Sequence, residues 1–92
     1  IEMIAVTEEG AWIVQTPRLP LKANGSGDIT AALFTAHLRS TGAPGTALSR
    51  TVASVYDVLK ATLESGEREL RLIAAQEAIA QPDERFEVTR LR

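Results

Sequence analysis

The stretch KANGSGDITAAL, residues 22–33, places a flexible Gly-Ser-Gly directly before Asp28, and a helix-like apolar segment follows. Two interpretations are open. In the first, the glycines form a turn and Asp28 caps a helix. In the second, the backbone amides of Gly25, Ser26 and Gly27 turn inward to hold a phosphate, with the positive end of the helix adding to the attraction. Both interpretations predict a junction between a loop and a helix.

Asp28 gives the second interpretation its chemistry. The field of the helix favours an ionised carboxylate there at neutral pH, and such a carboxylate accepts a proton from a hydroxyl group. Phosphorylation of a hydroxyl requires an anion hole and a general base side by side. The four residues alone favour the capping role, because Gly-x-Gly-Asp occurs by chance and Asp is a preferred N-cap residue. The motif is also not a Walker loop, because no Lys-Ser/Thr pair follows at the required spacing.

Upstream of this junction the chain has the pattern of a β-hairpin. Residues 1–6 and 11–16 are rich in β-branched and aromatic side chains, and the short polar link between them contains a glycine. Pro17 and Pro20 then exclude a continuing central strand. We therefore expect two strands followed by a loop over residues 17–27.

Two helices are predicted after the loop. The first begins at Asp28 and ends at Gly42 and Pro44, and apolar residues on more than one side predict that neighbours largely bury it. The second runs roughly over residues 46–64, with its apolar residues at helical spacing along one stripe. The residues of that stripe are Leu48, Val52, Val55, Leu59 and Leu63.

The remainder predicts a third helix over residues 69–81, ended by Pro82, and an edge strand over residues 85–91. The order is therefore β, β, loop, α, α, α, β. Two broadly apolar helices need more cover than three short strands give. Because the chain also begins at Ile1, we expect it to be a piece of a larger layered α/β protein.

The composition excludes several classes of protein. The 92 residues include 45% hydrophobic and 24% charged residues, which is typical of one small globular domain. A net charge of −2 argues against binding to nucleic acid, and no apolar run is long enough to span a membrane. The chain has no cysteine, so disulfides and thiolate metal sites are excluded. We expect a soluble, intracellular protein.

The stretch NGSGDITAALF, residues 24–34, resembles the C-terminal anion-hole motif of the ribokinase superfamily, in which Gly-x-Gly-Asp begins a helix. Sugar kinases of that group typically follow the Asp with a small residue and a Phe. Here Ile29 and Thr30 follow, as in pyridoxal kinases. Hydroxymethylpyrimidine kinases usually carry Cys at the position of Asp28, which counts against them.

Three further stretches resemble pyridoxal kinases. Residues 11–19 are similar to the strand and Pro-containing segment beside the nucleotide, residues 51–62 to the next helix, and residues 69–91 to the last helix and strand. The segment between Pro17 and Gly25 departs from the pattern, being short with a sequence of its own. The resemblance implies a ribokinase-like α/β fold, with a mostly parallel central sheet flanked by helices. Residues 1–92 would be the C-terminal portion of one kinase domain.

The same resemblance implies an activity, the transfer of the γ-phosphate of ATP to the 5′-hydroxymethyl group of pyridoxal, pyridoxine or pyridoxamine. Asp28 would be the general base and contact the substrate, and the amides of residues 25–27 would form the anion hole. Four residues would lie beside the nucleotide: Thr16, Pro17, Arg18 and Leu19. Two alternatives stay open, a ribokinase-like sugar kinase and a module that binds nucleotide without transferring phosphate.

The resemblance also implies partners and a location. Magnesium would be bound mainly through the phosphates, with no metal ligand assigned to this chain, and a monovalent cation is left open. Family members are commonly homodimers in the cytoplasm, and we expect the same here. The pocket for the pyridine ring would lie outside these 92 residues, so the chain alone should not turn over substrate.

Overall fold

The computed structural model describes residues 2–17, 26–65 and 79–92. The predicted hairpin, the two long helices and the final strand are confirmed, but the strand is shorter than expected. The predicted third helix lies mostly outside the described residues, which include only its last part. In chain order the elements are β1 (Glu2–Thr7), β2 (Gly10–Gln15), α1 (Ser26–Thr41), α2 (Pro44–Ser65) and β3 (Val88–Arg90).

The three strands form one antiparallel sheet in the order β1-β2-β3. Trp12 in the middle strand lies opposite Ala5 on one side and Arg90 on the other. At the hairpin turn, the hydroxyl of Thr7 accepts a hydrogen bond of 3.1 Å from the backbone N–H of Glu9. The mostly parallel sheet implied by the resemblance is not seen among these strands.

The junction between the helices lies at Gly42 and Pro44, as predicted. Gly42 has a φ of 65°, the left-handed conformation that ends helices, and its N–H donates to the carbonyl of Leu38 at 2.8 Å. Pro44 is the first residue of α2, where its missing N–H costs nothing. Thr41 closes the corner, because its hydroxyl donates to the carbonyl of His37 at 2.7 Å and accepts from the N–H of Ala43 at 3.2 Å.

Burial of the two helices differs from the expectation. The first helix was expected to be largely buried, yet no described side chain of α1 is fully buried, and Ala32 and Ala36 are exposed. The helix that is buried on most sides is α2, with Val52, Ala53 and Val58 all inaccessible to solvent. The reason is positional, because α2 packs against the sheet and α1, whereas α1 contacts only α2 among the described elements.

One apolar cluster joins the layers. Ala5 and Val14 of the sheet pack with Leu48 and Val52 of α2, and Phe34 is the residue through which α1 reaches this cluster. Full burial of a Val or Leu side chain such as Val14, Leu48 or Val52 is worth about 1.5–3 kcal/mol. The other half-buried residues against the cluster are Met3, Trp12, Phe86 and Val88.

The segment before β3 is fastened to the outside of α2. Arg85 forms ion pairs with Asp57 of α2 and with Asp83. The ring of Phe86 packs edge-on against Tyr56, with 4.9 Å between the ring centroids. These contacts fix where β3 enters the sheet, beside β2.

The last residues of the chain are held against the hairpin turn. The N–H of Leu91 donates to the carbonyl of Ala11 at 2.6 Å, and the guanidinium of Arg90 donates to the carbonyls of Glu9 and Arg92 at 2.7 and 2.9 Å. A Cβ added at Gly10 would overlap the carbonyl oxygen of Arg92. Glycine at position 10 is therefore required by this close approach.

Replacing Gly10→Ala should lower the free energy of unfolding by about 1–3 kcal/mol, because the new methyl group displaces the backbone of Arg92. Denaturant unfolding measures the change. Gly27→Ala is the matched control, since a Cβ at that position meets no described atom within 4 Å and should leave stability unchanged or slightly raised. Equal stability of the Gly10→Ala variant and the wild type would contradict the close approach.

Candidate active site at the first turn of α1

Three of the predicted site residues lie in one helical turn. The helix α1 begins at Ser26, two residues earlier than expected, so Gly27 and Asp28 belong to its first turn. Asp28 is therefore the third residue of the helix rather than the residue that caps it. The first amides of a helix have no partner within the helix and point together along its axis. The amides of Ser26 and Gly27 thus point in one direction, beyond the start of α1.

The side chain of Asp28 is exposed. Within residues 2–17, 26–65 and 79–92, no hydrogen bond or ion pair engages its carboxylate. A negative charge in the first turn is stabilised by the helix dipole, an effect of about 0.3–1 kcal/mol at an exposed position. Among the described residues, therefore, none competes with a ligand for this carboxylate.

Glycine at position 27 has no structural reason among the described residues. Its φ is not positive, and a Cβ built there meets no described atom within 4 Å. The two usual causes of a required glycine, backbone conformation and tight packing against protein, are therefore absent in the part of the chain that the structure describes. Gly25, the remaining member of the predicted anion hole, lies outside that part.

The direction in which this turn faces is set by the packing of α1 on α2. Phe34 anchors α1 in the apolar cluster, and His37 lies half-buried one turn further along. Burial lowers the pKa of His37 from 6.5, and the positive charge of Arg50 lowers it further.

The residues predicted to lie beside a nucleotide are only partly described. Thr16 and Pro17 directly follow β2, and the hydroxyl of Thr16 donates to the carbonyl of Pro17 at 3.1 Å. Arg18 and Leu19 lie outside the described residues. The nucleotide contact of all four residues stays a prediction.

Sequence reasoning missed the polar contacts that hold the end of the chain to α2. The guanidinium of Arg85 lies 5.0 Å from the ring centre of Phe86 and pairs with Asp57, and Arg50 pairs with Glu84 at 3.4 Å. The partners are separated by 28 and 34 residues, so no local pattern could reveal them. Arg85 and Phe86 also line an open cleft of about 410 Å³.

That cleft lies between the sheet and the residues before β3. A second one of about 400 Å³ is also lined by Gly45, Thr46 and Ser49 of α2, and no described residue of α1 lines either cleft. Over the described ranges, His, Cys, Asp and Glu form no group of three or more that could hold a metal ion. In the same ranges no helix is long and apolar enough to cross a membrane.

Solved structures with a similar fold are pyridoxal kinases. That of Leishmania donovani, in complex with ADP, has a TM-score of 0.76 at 27% identity, covering 89% of this chain and 28% of the kinase. That of Entamoeba histolytica, with PLP, has a TM-score of 0.77 at 18% identity, covering 92% and 30%. The fold is therefore a part of the ribokinase-like α/β fold, as the sequence predicted.

Curated relatives point to the same kinases. The chain is 68% identical over 91 residues to the pyridoxal kinase PdxY of Leifsonia xyli and 55% identical over 91 residues to that of Rubrobacter xylanophilus, covering 99% of the chain in both cases. No family model matches. The chain spans 32% and 31% of those relatives, about a third of a pyridoxal kinase. The resemblance to pyridoxal kinases is thus confirmed.

Replacing Asp28→Asn should change the free energy of unfolding by no more than about 1 kcal/mol, because the carboxylate is exposed and gains only the helix dipole. Thermal and denaturant unfolding test this. A loss of several kcal/mol would show that Asp28 is a structural residue, and any loss of activity in the variant would then have no mechanistic meaning.

Proposed function

We propose that residues 1–92 are the C-terminal portion of one kinase domain, and that the whole protein phosphorylates the 5′-hydroxymethyl group of pyridoxal, pyridoxine or pyridoxamine with ATP. The observation that carries this is the first turn of α1, where Asp28 stands beside the aligned amides of Ser26 and Gly27. The high identity to pyridoxal kinases over nearly the whole chain supports it. The sugar kinase and the silent module gain no support from these relatives.

In this mechanism the turn does two things. The amides of Ser26 and Gly27, with that of Gly25, stabilise the negative charge of the transferring phosphoryl group. Asp28 orients the attacking hydroxyl of the substrate and accepts its proton. The glycine at position 27, for which the described residues give no structural cause, is explained by a phosphate that approaches the backbone closely.

The nucleotide would run from this turn toward the residues that follow β2. Thr16, Pro17, Arg18 and Leu19 are proposed to lie beside it, as the resemblance implies. Neighbouring structures support a nucleotide and a vitamer as ligands, since one pyridoxal kinase was solved with ADP and that of Plasmodium falciparum with AMP-PNP and PL.

Magnesium would be held mainly by the phosphates of the nucleotide. A bound magnesium ion would neutralise charge on the phosphates. A homodimer in the cytoplasm and a bound monovalent cation are further proposals that rest on the resemblance alone.

In the full-length protein, Asp28→Asn should lower kcat for pyridoxal phosphorylation by about 10²–10⁴, the usual contribution of a general base. A coupled assay of ADP formation measures this. Glu64→Gln is the matched control, because it also removes one exposed carboxylate, near the far end of α2, and should leave kcat unchanged. Near-normal turnover by the Asp28→Asn variant would remove Asp28 from the mechanism.

Gly27→Leu should impair phosphoryl transfer more than vitamer binding. The variant should fold, because no described atom lies within 4 Å of a Cβ built at this position. The new leucine side chain would, however, occupy the space in front of the amides. We expect kcat/KM for ATP to fall about 10-fold or more while the Kd for pyridoxal stays within about twofold. A variant that loses pyridoxal affinity and keeps its kcat would refute the anion-hole assignment.

A further inference from the structure

His37 has a buried polar atom without a hydrogen-bond partner among the described residues. Its Nε2 is shut off from water, and no residue in the described ranges forms a hydrogen bond with it. A buried polar atom without a partner is rare in folded proteins and calls for an explanation. His37 is also the single histidine of the chain, and it lies on α1 nine residues after Asp28, about two and a half turns along the helix.

The surroundings of His37 favour the neutral imidazole over the protonated, positively charged one. The element packed against α1 is α2, from which Arg50 acts on the imidazole, and Arg50 is itself paired with Glu84 at 3.4 Å. A protonated imidazole carries an N–H on both nitrogens. Its buried Nε2–H would face no acceptor among the described residues, and its positive charge would meet the charge of Arg50.

The electrostatic interaction with Arg50 links His37 to α2, the helix that positions α1. Among the described elements α1 touches only α2, so no other strand or helix of this part holds its first turn in place. Phe34 secures the middle of the helix in the apolar cluster, and His37 lies one turn further along. A change at His37 can therefore tilt α1 about the Phe34 anchor and move the first turn.

We propose that neutral His37 is a positioning residue of the phosphoryl-transfer site, and that its protonation loosens α1 from α2 and weakens anion binding at the first turn. The proposal rests on the proposed function for its effect on nucleotide binding. Its effect on the packing of α1 does not depend on that function.

The direction of the pH dependence follows from the lowered pKa of His37. The folded state binds this proton less readily than the unfolded state, so the packing of α1 has its full stability above pH 6.5. That stability is lost as the pH falls below 6.5 and through the lower pKa of the folded state. Mild acid is therefore the condition that should release α1.

The test compares the full-length wild type with His37→Gln, which keeps a polar side chain but does not titrate, at about pH 7.5 and about pH 5.5. Arg39→Gln is the matched control, because it changes an exposed charge on the same helix. If His37→Gln does not fold, His37→Leu is used in its place. Hydrogen exchange of residues 26–41 reports the packing of α1, and the Kd for AMP-PNP reports the first turn.

On acidification, hydrogen exchange in α1 of the wild type and of Arg39→Gln should rise about threefold or more beyond the rise in His37→Gln, after correction for the intrinsic rate. The Kd for AMP-PNP should rise by a similar factor in the same two proteins. Equal pH responses of the wild type and His37→Gln in hydrogen exchange would overturn the proposal, and so would faster exchange with an unchanged Kd. Absence of pyridoxal phosphorylation at every pH would refute the proposed function, while hydrogen exchange would still decide the role of His37.

Discussion

The burial of α2 is the constraint on which the rest of this structure depends. Every other described helix and strand packs against α2, and buried residues lie on most sides of this helix. Buried polar residues of α2 are tolerated because their hydroxyl groups form hydrogen bonds within the helix. The hydroxyls of Thr51 and Thr62 donate to the carbonyls of Ala47 and Val58, one turn back in the same helix, at 2.7 and 2.8 Å. The helix can therefore be surrounded without leaving these hydroxyls unpaired.

The candidate site depends on α2 indirectly, because α2 positions the helix α1 that carries the site. The helix α1 carries Asp28 and the amides of the candidate site, but none of its described side chains is fully buried. Its direction therefore comes from the face that it shares with α2. The sharp corner at Gly42 and Pro44 fixes one end of that face, and Phe34 fixes its middle. The first turn, with Asp28, extends beyond these anchors. Exposed carboxylate and amides on a rigid helix suit a site that must meet a ligand from outside this part of the fold.

The parts of the fold that sequence could predict are those with local causes. The hairpin followed from β-branched residues on both sides of a polar turn, and the end of α1 followed from Gly42 and Pro44. The relative burial of the helices could not be predicted, because both are apolar on several sides and only tertiary packing decides which one lies inside. The ion pair of Arg85 with Asp57 joins residues far apart in the chain, so it has no local signature.

The site was predictable to a similar degree. A glycine-rich segment before a helix, followed by an acid, indicated where Asp28 would lie, and the structure places it in the first turn of α1. Two features of Gly27 could not be read from sequence, because both depend on where α1 begins. Its φ is not positive, and a Cβ built at this position meets no described atom within 4 Å. The same holds for the buried Nε2 of His37, which has no hydrogen-bond partner among the described residues, because burial depends on tertiary packing.

A crystal structure of the full-length protein with AMP-PNP and pyridoxal tests the central claim most directly. The account predicts that the amides of Ser26 and Gly27 lie about 2.7–3.1 Å from oxygens of the terminal phosphate, with the carboxylate of Asp28 within hydrogen-bond distance of the 5′-hydroxyl of pyridoxal. A terminal phosphate bound elsewhere, or a carboxylate of Asp28 turned away from both ligands, would contradict it.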